Sequence, residues 1–387
     1  MIDLTPLLGP QSASGQAAHF RLFPRNGGER WLLEAGYRRP WHLETWPQAN
    51  RRAKIIYCIA RLFGAVGLHL PSQRITLNIA EGSPYSQFRS RFGELGVFLG
   101  TPGPNRKFVV FAKDGDKAWF IKVPISSGSV ALAQNEAAAL DALANVKGLA
   151  KRVPRYFWIG DNLVLEDVRS TGATYGRLND EEIIRVHELL FAHSRTDITL
   201  QELVRTWTKD TSPSRSHPNR DLQALIVSTR QAALDYLATL DPARRVDCYL
   251  AHGDFTRWNV LLAPDGSARI IDWELFARRT KFFDPFHYRV SQGILVDRAT
   301  PDAILAQVFR FGSEVAARDA ILLYFGLYLA EQTFVHCNLY ERSDHVVVQM
   351  YWQLQTWKEM FALLSSHCGP QGSIPTPERD CLGRTQT

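Results

Sequence analysis

Apolar and polar residues alternate between positions 93 and 123, in short runs that are separated by turn sequences. The runs GVFLGT, KFVVFAK and KAWFIKV are divided by PGPN and by DGD. This alternation predicts three antiparallel strands, and the Asp114-Gly115 step is typical of a hairpin because glycine adopts positive φ without steric cost. Further along the chain, YFWIG and NLVLEDV flank a Gly160-Asp161 turn and predict two more strands.

Apolar residues at helical spacing predict helices in the rest of the chain. An alanine- and leucine-rich segment over 129–146 follows the third strand, and Ser129 is a residue type that caps helix starts. After residue 179 helices prevail, and the predicted ranges are 180–194, 221–240, 301–317, 321–339 and 346–364. Strands followed by helices predict an α+β fold with two segregated lobes.

The first ninety or so residues are rich in Trp, Pro and Arg and contain one predicted helix, over 50–69. Its apolar residues recur at helical spacing and are Ile55, Ile56, Ile59, Leu62, Phe63 and Val66. Its other positions include the basic residues Arg51, Arg52, Lys54 and Arg61. A basic amphipathic helix is able to lie on an anionic membrane surface. Packing against the neighbouring lobe is the interpretation that we favour.

A chain of 387 residues with 45% apolar content can bury a substantial core in two lobes. Its five cysteines are scattered without a C-x-x-C pair, which predicts neither a disulfide framework nor a zinc site. We therefore expect a reducing, cytoplasmic location. The opening MIDLTPLLGPQSASG lacks a basic region followed by an apolar one, and no run of eighteen or more apolar residues follows. We expect no export signal and no membrane span.

The formal net charge of +6 favours an anionic partner such as a nucleotide. Nucleic acid is not the expected partner, because the positive residues are dispersed and form no dense Lys/Arg run interleaved with aromatic residues. No internal repeat is evident, which excludes solenoids and propellers. Nothing in the sequence indicates an oligomeric state.

The stretch YLAHGDFTRWNVLLAPDGSARIIDWELF carries the chemistry. Its pattern predicts a strand, a polar loop, a short hairpin and a second polar loop. Asp254 and Asn259 lie on the first loop with four residues between them, and Asp272 comes at the end of the hairpin. Phosphoryl transfer requires a carboxylate for the proton of the acceptor hydroxyl, oxygen ligands for Mg²⁺ and a cation on the phosphates. The two loops supply the carboxylate and the ligands.

HGDFTRWNVLL followed by IIDWE resembles the aminoglycoside phosphotransferase and choline kinase superfamily, whose small-molecule kinases share the bilobal protein-kinase-like fold. The form HGDF-x-x-WN is nearest to phosphotransferases found beside bacterial surface-polysaccharide genes. The resemblance implies that Asp254 is the catalytic base, that Asn259 and Asp272 are metal ligands, and that His252 is structural. Arg257 departs from the Pro or Gly that is common there. It either contacts phosphate or lies solvated at the loop edge.

The resemblance also assigns roles in the first half of the chain. Lys122 ends the third strand, where the superfamily places its phosphate-contacting lysine, and Glu136 lies on the following helix as its ion-pair partner. The loop GTPGPN is no Walker A sequence. In register with Lys122, its residues Gly100, Gly103 and Asn105 are expected to lay backbone N–H groups over the phosphates.

NLVLEDV is expected to be the hinge between the lobes. The resemblance implies that backbone groups of Glu166 and Val168 pair with the purine, and that Ile121 and Leu165 lie against it. The expected cofactors are ATP, with GTP left open, and Mg²⁺.

The segment that follows IIDWE lies near the acceptor pocket in this superfamily. Aromatic residues here either stack on a sugar face or, as is more common, form core; they are Trp273, Phe282, Phe283 and Tyr288. Polar candidates for hydrogen bonds to acceptor hydroxyls are Glu274, Asp284, His287 and Gln292. Among them Asp284 is the residue that we expect to contact the acceptor, whereas His287 is more typical of a structural histidine.

These observations predict an ATP-dependent phosphotransferase whose acceptor is a hydroxyl of a sugar or another polyhydroxylated metabolite. An aminoglycoside or amino-alcohol kinase is the alternative, although a polycation needs an acidic pocket and this chain is basic. A protein kinase is disfavoured because H-R-D, D-F-G and A-P-E are absent from the sequence. A kinase-fold protein that only binds ligands remains open. A serine hydrolase is excluded by the lack of G-x-S-x-G.

The predicted division of the chain has four parts. Residues 1–92 form an extension packed on the small lobe, 93–168 the kinase-like N-lobe, 169–368 the helical C-lobe with the catalytic loop, and 369–387 a mobile tail.

Overall fold

A computed structural model of the protein describes residues 2–11, 14–23, 30–37, 39–45, 51–65, 72–101, 103, 105–209, 217–343 and 346–367. The predicted mobile tail lies outside these residues. One large antiparallel sheet and a mainly helical second lobe make up the described chain, so the predicted bilobal α+β fold is confirmed.

The small lobe is built on an eight-stranded sheet in the order β3-β1-β2-β4-β5-β6-β8-β7. Its strands are β1 (Gly15–Phe23), β2 (Trp31–Glu34), β3 (Gln73–Ala80), β4 (Leu95–Phe98), β5 (Lys107–Asp114), β6 (Lys117–Pro124), β7 (Tyr156–Ile159) and β8 (Asn162–Glu166). The five strands predicted after residue 92 are present. Alternate residues of β5 and β6 point to opposite faces, so Phe108, Val110 and Ile121 are buried on one face while Lys122 points to the other.

The N-terminal extension contributes three strands that the apolar pattern did not reveal. β2 pairs with β4, with Trp31 opposite Phe98, so sheet hydrogen bonding continues across the expected boundary at residue 92. Four helices accompany the sheet: α1 (Thr5–Leu8), α2 (Arg51–Ala65), α3 (Pro84–Phe92) and α4 (Ser127–Ala144). The start of α4 differs from the prediction. Ser126 is its N-cap, and Ser129 completes a capping box from the third helical position.

Helix α2 contacts the rest of the small lobe through a limited part of its surface. Tyr57 and Ala60 make the contact, in a small cluster with Leu43, while the described large apolar side chains of the helix are exposed. The periodicity established an amphipathic helix but did not determine which face is buried.

The second lobe contains seven described helices: α5 (Asp180–Ser194), α6 (Leu200–Thr208), α7 (Arg220–Ala238), α8 (Phe283–Gln292), α9 (Pro301–Gly312), α10 (Arg318–Glu341) and α11 (Val348–His367). Five of them match predicted helices to within a few residues, whereas α6 and α8 were not predicted. One described helix, α10, has the length and apolar character of a membrane span, but 78% of its apolar window is buried inside the protein. A core helix has this property.

Two three-stranded sheets hold the catalytic stretch. They are formed by β9 (Thr174–Tyr175), β10 (Thr196–Thr199), β11 (Arg245–Ala251), β12 (Val260–Leu262), β13 (Ala268–Ile270) and β14 (Ala277–Thr280). β12 and β13 form the predicted hairpin, with Val260 opposite Ile270. Buried Glu182 on α5 accepts a hydrogen bond from Ala268 N at 2.7 Å and pairs with Arg152. This buried ion pair fixes the hairpin to the body of the lobe.

Candidate active site

Lys122 and Glu136 meet inside the small lobe as a buried ion pair. Lys122 lies near the end of β6 opposite Val109, and Glu136 lies on α4 with no solvent exposure. The second carboxylate oxygen of Glu136 accepts a hydrogen bond from Trp273 N at 3.2 Å. Glu136 therefore holds both the lysine and the backbone of the segment that follows Asp272.

A cluster of carboxylates surrounds the Lys122 ammonium group. Besides Glu136, the ammonium pairs with Asp272 and lies 3.3 Å from Glu274 Oε2, and Lys107 also pairs with Glu274. Burial lowers the pKa of Lys122, but the carboxylates outweigh it and hold that pKa well above its usual range. Burial raises the pKa of Asp272, but Lys122 and Lys107 outweigh it and the net direction is downward. Lys122 is thus a fixed cation and Asp272 a fixed anion at neutral pH.

Asp272 has a left-handed backbone conformation, with φ 67° and ψ 56°. Aspartate tolerates this region better than most residues that have a Cβ. The neighbouring Ile271 N donates to Asn259 O at 2.9 Å, which joins the two predicted metal ligands through their backbones. β13 ends at Ile270, so Asp272 lies just beyond the hairpin and not at its last paired position.

Asp284 holds the backbone of the loop that contains His252, Gly253 and Asp254. Its carboxylate accepts hydrogen bonds from His252 N at 2.8 Å and Gly253 N at 3.1 Å. Asp254 N donates to His252 Nδ1 at 3.1 Å, so Nδ1 is an acceptor and Nε2 carries the proton that Ile271 O accepts at 2.9 Å. The position of His252 agrees with its predicted structural role.

Both carboxylate oxygens of Asp254 are engaged by neighbouring side chains. Asn259 Nδ2 donates to Oδ2 at 2.8 Å, and His287 Nε2 lies 3.2 Å from Oδ1. Because an ionised carboxylate only accepts, Nε2 is the protonated nitrogen of His287, and Nδ1 accepts from Tyr328 OH at 3.2 Å. The Asp254 side chain is 32% exposed, so it is fixed in orientation and still open to an acceptor.

A cleft of about 320 Å³ is lined by residues of both lobes. Its apolar walls come from both lobes and include Phe98, Val109, Phe120, Leu165 and Leu261. Lys107, Lys122, Asn259 and Asp272 lie along its polar part. Leu165 is in the wall as expected. Ile121 is not, because strand alternation directs it into the sheet core and brings Phe120 to the cleft instead.

The predicted hinge residues line the cleft, and residues of the GTPGPN loop line a cavity next to it. Glu166 and Val168 both line the cleft. Glu166 N donates to Arg155 O at 2.8 Å, so this N–H is already used within the protein. Gly100, Gly103 and Asn105 line a neighbouring cavity of about 330 Å³ that shares Phe98, Lys107 and Val109 with the cleft. At Gly100, where φ is +73°, an added Cβ would lie 2.3 Å from Lys107 O, so the sharp return to β5 requires glycine.

Most of the residues expected at the acceptor are buried and structural. Asp284 is 1% exposed and uses both oxygens on the loop backbone, so the expectation that it contacts an acceptor is wrong. Trp273 is fully buried, and its Nε1 donates to Ile270 O at 2.9 Å. The Tyr288 hydroxyl accepts from Leu178 N at 3.0 Å, and Phe282 and Phe283 are core. These aromatic side chains have no exposed face on which a sugar ring could stack.

The other acceptor candidates have different neighbours. Glu274 belongs to the Lys107 and Lys122 cluster. Gln292 lines the cleft and donates to Asp297 Oδ1 at 2.8 Å. Arg257 also lines the cleft, which agrees with a position near phosphate. His287 contacts Asp254 directly.

Three features of the site were not identified from the sequence. Lys107 is a second cation in the cleft, and Tyr328 on α10 supports His287. Buried Glu331, one helical turn beyond Tyr328, pairs with Arg279. Strand alternation could have identified Lys107. Val109 pairs with Lys122, and Lys107 is two residues before Val109, so Lys107 and Lys122 lie on the same face of the sheet. The α10 residues lie far from the motifs in sequence and had no such signal.

Residues 104–284 match the model of the phosphotransferase enzyme family, APH. No curated protein sequence matches the chain. Choline kinase LicA from Streptococcus pneumoniae aligns with a TM-score of 0.45 and 16% identity, over 69% of this chain and 93% of that chain. Spectinomycin phosphotransferase APH(9)-Ia, in complex with ADP and spectinomycin, aligns with a TM-score of 0.41 and 16% identity, over 71% of this chain and 92% of that chain. A thermostable mutant of aminoglycoside phosphotransferase APH(4)-Ia aligns with a TM-score of 0.46 and 14% identity, over 73% of this chain and 99% of that chain.

At such identities and TM-scores, these likenesses do not indicate which acceptor this chain phosphorylates. The family match begins after Gly103 and ends at Asp284, and that segment contains Lys122, Glu136 and the loop with Asp254 and Asn259. The match shows that residues 104–284 resemble the phosphotransferase enzyme family APH, in agreement with the resemblance that the sequence motifs indicate.

Proposed function

We propose that this protein transfers the γ-phosphate of ATP to a hydroxyl of a small molecule, with a sugar or another polyhydroxylated metabolite as acceptor. The observation that carries the proposal is one cleft that is lined by Lys122, Asn259 and Asp272. Lys122 pairs with buried Glu136 and with Asp272, and Asn259 donates to the carboxylate of Asp254, which also contacts His287.

Asp254 is the base in this proposal. The acceptor oxygen forms a bond to the γ-phosphorus, the bond from that phosphorus to the β–γ bridging oxygen breaks, and ADP leaves. The acceptor proton passes to Asp254. Asn259 and His287 donate to the two Asp254 oxygens and keep the carboxylate directed at the acceptor position.

Lys122 supplies the fixed positive charge that stabilises the phosphates, and Glu136 holds it in place. The apolar walls of the cleft fit a purine ring, and its volume is within the range of small-molecule sites. The proposed adenine contacts are the backbone groups of Glu166 and Val168. Gly100, Gly103 and Asn105 are proposed to cover the phosphates from the neighbouring cavity.

The side chains of Asn259 and Asp272 fit Mg²⁺, which is a hard cation that prefers oxygen ligands. The Asn259 amide nitrogen is used by Asp254, so its Oδ1 is the atom with which it would bind the ion. Glu136, Asp272 and Glu274 also place carboxylate oxygens within 4.8 Å of one another, but Lys122 pairs with all three. When bound, Mg²⁺ offsets the charge of the phosphates during transfer.

A neutral acceptor is favoured by the charges beyond Asp254. Glu331 lies one helical turn beyond Tyr328, and Tyr328 contacts His287 beside Asp254. Glu331 is buried and its charge is neutralised by Arg279. A polycationic acceptor would require unneutralised carboxylates there.

The test is ADP formation from Mg-ATP with a panel of sugars, polyols, amino alcohols and aminoglycosides. We expect Asp254→Ala to lower turnover about 10²- to 10⁴-fold, the usual contribution of a general base. Asp116→Ala is the matched control, since Asp116 is an exposed aspartate in the β5–β6 turn. Undiminished turnover in Asp254→Ala would overturn the mechanism. Failure of every nucleotide to raise the melting temperature would instead favour a kinase-fold binding protein.

A further inference from the structure

Helix α2 carries a row of large apolar side chains on its outer surface. Ile55, Ile59, Leu62 and Phe63 are 59%, 45%, 71% and 46% exposed, and we call these four residues the α2 apolar face. They recur at i, i+4, i+7 and i+8, which places them along one side of the helix. Isolated exposed apolar residues are ordinary, but a contiguous row indicates a binding surface.

The side of α2 that carries Tyr57 and Ala60 packs on the small lobe. Tyr57 is 8% exposed and Ala60 4% exposed, and both pack on Leu43. The Tyr57 hydroxyl lies 3.5 Å from Glu44 Oε1. The helix is therefore seated on the small lobe by small and aromatic residues, and the α2 apolar face is directed away from the body of the protein.

The charge of the helix identifies the kind of partner. The sequence of α2 contains four basic residues and no acidic residue, and the basic residues are Arg51, Arg52, Lys54 and Arg61. Arg61 is exposed, and its guanidinium lies 3.4 Å from the Tyr57 hydroxyl. Helices that lie in a membrane interface combine Leu or Phe on one face with Lys and Arg around it. Anionic headgroups attract such positive charges.

We propose that α2 is a membrane-docking element, which inserts the α2 apolar face at the headgroup boundary of an anionic lipid bilayer, to which the net positive charge of the helix sequence attracts it. This inference does not depend on the proposed phosphotransferase activity. Docking has a consequence for the catalytic cleft. Glu44, which Tyr57 contacts, and Thr45 both line the cleft, so the rim of the cleft lies close to the helix that meets the membrane.

The test is co-sedimentation of the full chain with vesicles of phosphatidylcholine alone and of phosphatidylcholine mixed with an equal amount of phosphatidylglycerol. We expect binding to the mixed vesicles and little binding to phosphatidylcholine alone. Raising the salt concentration is expected to weaken binding because exposed charges are screened. Leu62→Asp is expected to reduce binding about tenfold or more, since burial of one leucine contributes more than a factor of ten.

Val227→Asp is the matched control, because Val227 is 53% exposed on α7 in the other lobe. Leu62 and Val227 are both exposed, so both variants are expected to retain the wild-type melting temperature, and only the α2 variant is expected to lose vesicle binding. Equal binding by the two variants, or no binding by the wild type, would overturn the proposal. So would self-association of the full chain that Leu62→Asp abolishes in the absence of vesicle binding, because the α2 apolar face would then join two copies of the protein.

Discussion

Asp284→Asn removes one of the two acceptors that hold the catalytic loop. Asp284 is 1% exposed, and its carboxylate accepts from His252 N at 2.8 Å and Gly253 N at 3.1 Å. The amide keeps one oxygen, but its nitrogen is a donor that faces a backbone donor. A hydrogen bond to a charged group contributes about 1.5–3 kcal/mol, so the loss of one bond together with an unpaired buried N–H costs about 2–4 kcal/mol.

The same substitution is expected to reduce catalysis. Asp254 directly follows Gly253 and donates its N–H to His252 Nδ1 at 3.1 Å, so a shift of the loop moves the proposed base. Small misplacements of reacting groups cost about 10²-fold in rate. We expect kcat for ADP formation to fall by about that factor, with a smaller change in KM for the acceptor.

Denaturant unfolding and steady-state kinetics of the Asp284→Asn protein test this reasoning, with Asp116→Asn as the exposed control. A positioning role requires lower stability and lower kcat together. A variant of wild-type stability in which only the acceptor KM rises would refute it, because that result would place Asp284 in contact with the acceptor.

Two further substitutions test the charges around the site and in the core. Lys122→Met is expected to raise KM for ATP and lower kcat, and to lower the melting temperature because buried Glu136 loses its partner. Lys117→Met is the control and is expected to have little effect, because Lys117 is exposed at the start of β6. An unchanged KM for ATP in Lys122→Met would contradict the proposed phosphate contact. Burial and Lys281 lower the pKa of His187 to about 3, and its Nδ1 has no hydrogen-bond partner among the described residues. Unfolded histidine titrates near 6.5, so between these values the unfolded state binds more protons, and His187 makes the native protein lose up to about 1.4 kcal/mol per pH unit as the pH falls. Below pH 6.5, the free energy of unfolding is expected to fall less steeply with falling pH in His187→Phe than in the wild type. Urea unfolding at several pH values measures this dependence, and the same dependence on pH in both proteins would contradict the expectation.

The parts of the fold that were predicted from the sequence are those with a local signal. β5 and β6 are short apolar runs that are joined at a glycine turn, and α5 begins at Asp180 as predicted, after an asparagine cap. β1 has no comparable pattern, because GQAAHFRLF mixes small, charged and apolar residues. Its pairing partner β3 lies more than fifty residues away, and the sequence of neither strand alone predicts this pairing.

The site was predicted to the extent that each role has a characteristic residue type at a characteristic place along the chain. Lys122, Glu136 and Asp272 are brought together as expected. The function of Asp284 was misjudged because the sequence shows an acidic residue among aromatic ones but does not show burial. The contact between His287 and Asp254 joins residues thirty-three positions apart, and no local sequence pattern encodes that contact.

The charges in the cleft explain why the nucleotide and its metal ion would bind together. Among the described residues, three carboxylates in the cluster, those of Glu136, Asp272 and Glu274, face two ammonium groups, those of Lys107 and Lys122. The cluster therefore has one formal negative charge, which alone would repel phosphates. Asn259 and Asp272 would hold a divalent cation, whose charge would offset this repulsion. Asp272 would then share its carboxylate between that cation and Lys122, so we expect the ion pair between Lys122 and Asp272 to lengthen when Mg-ATP binds.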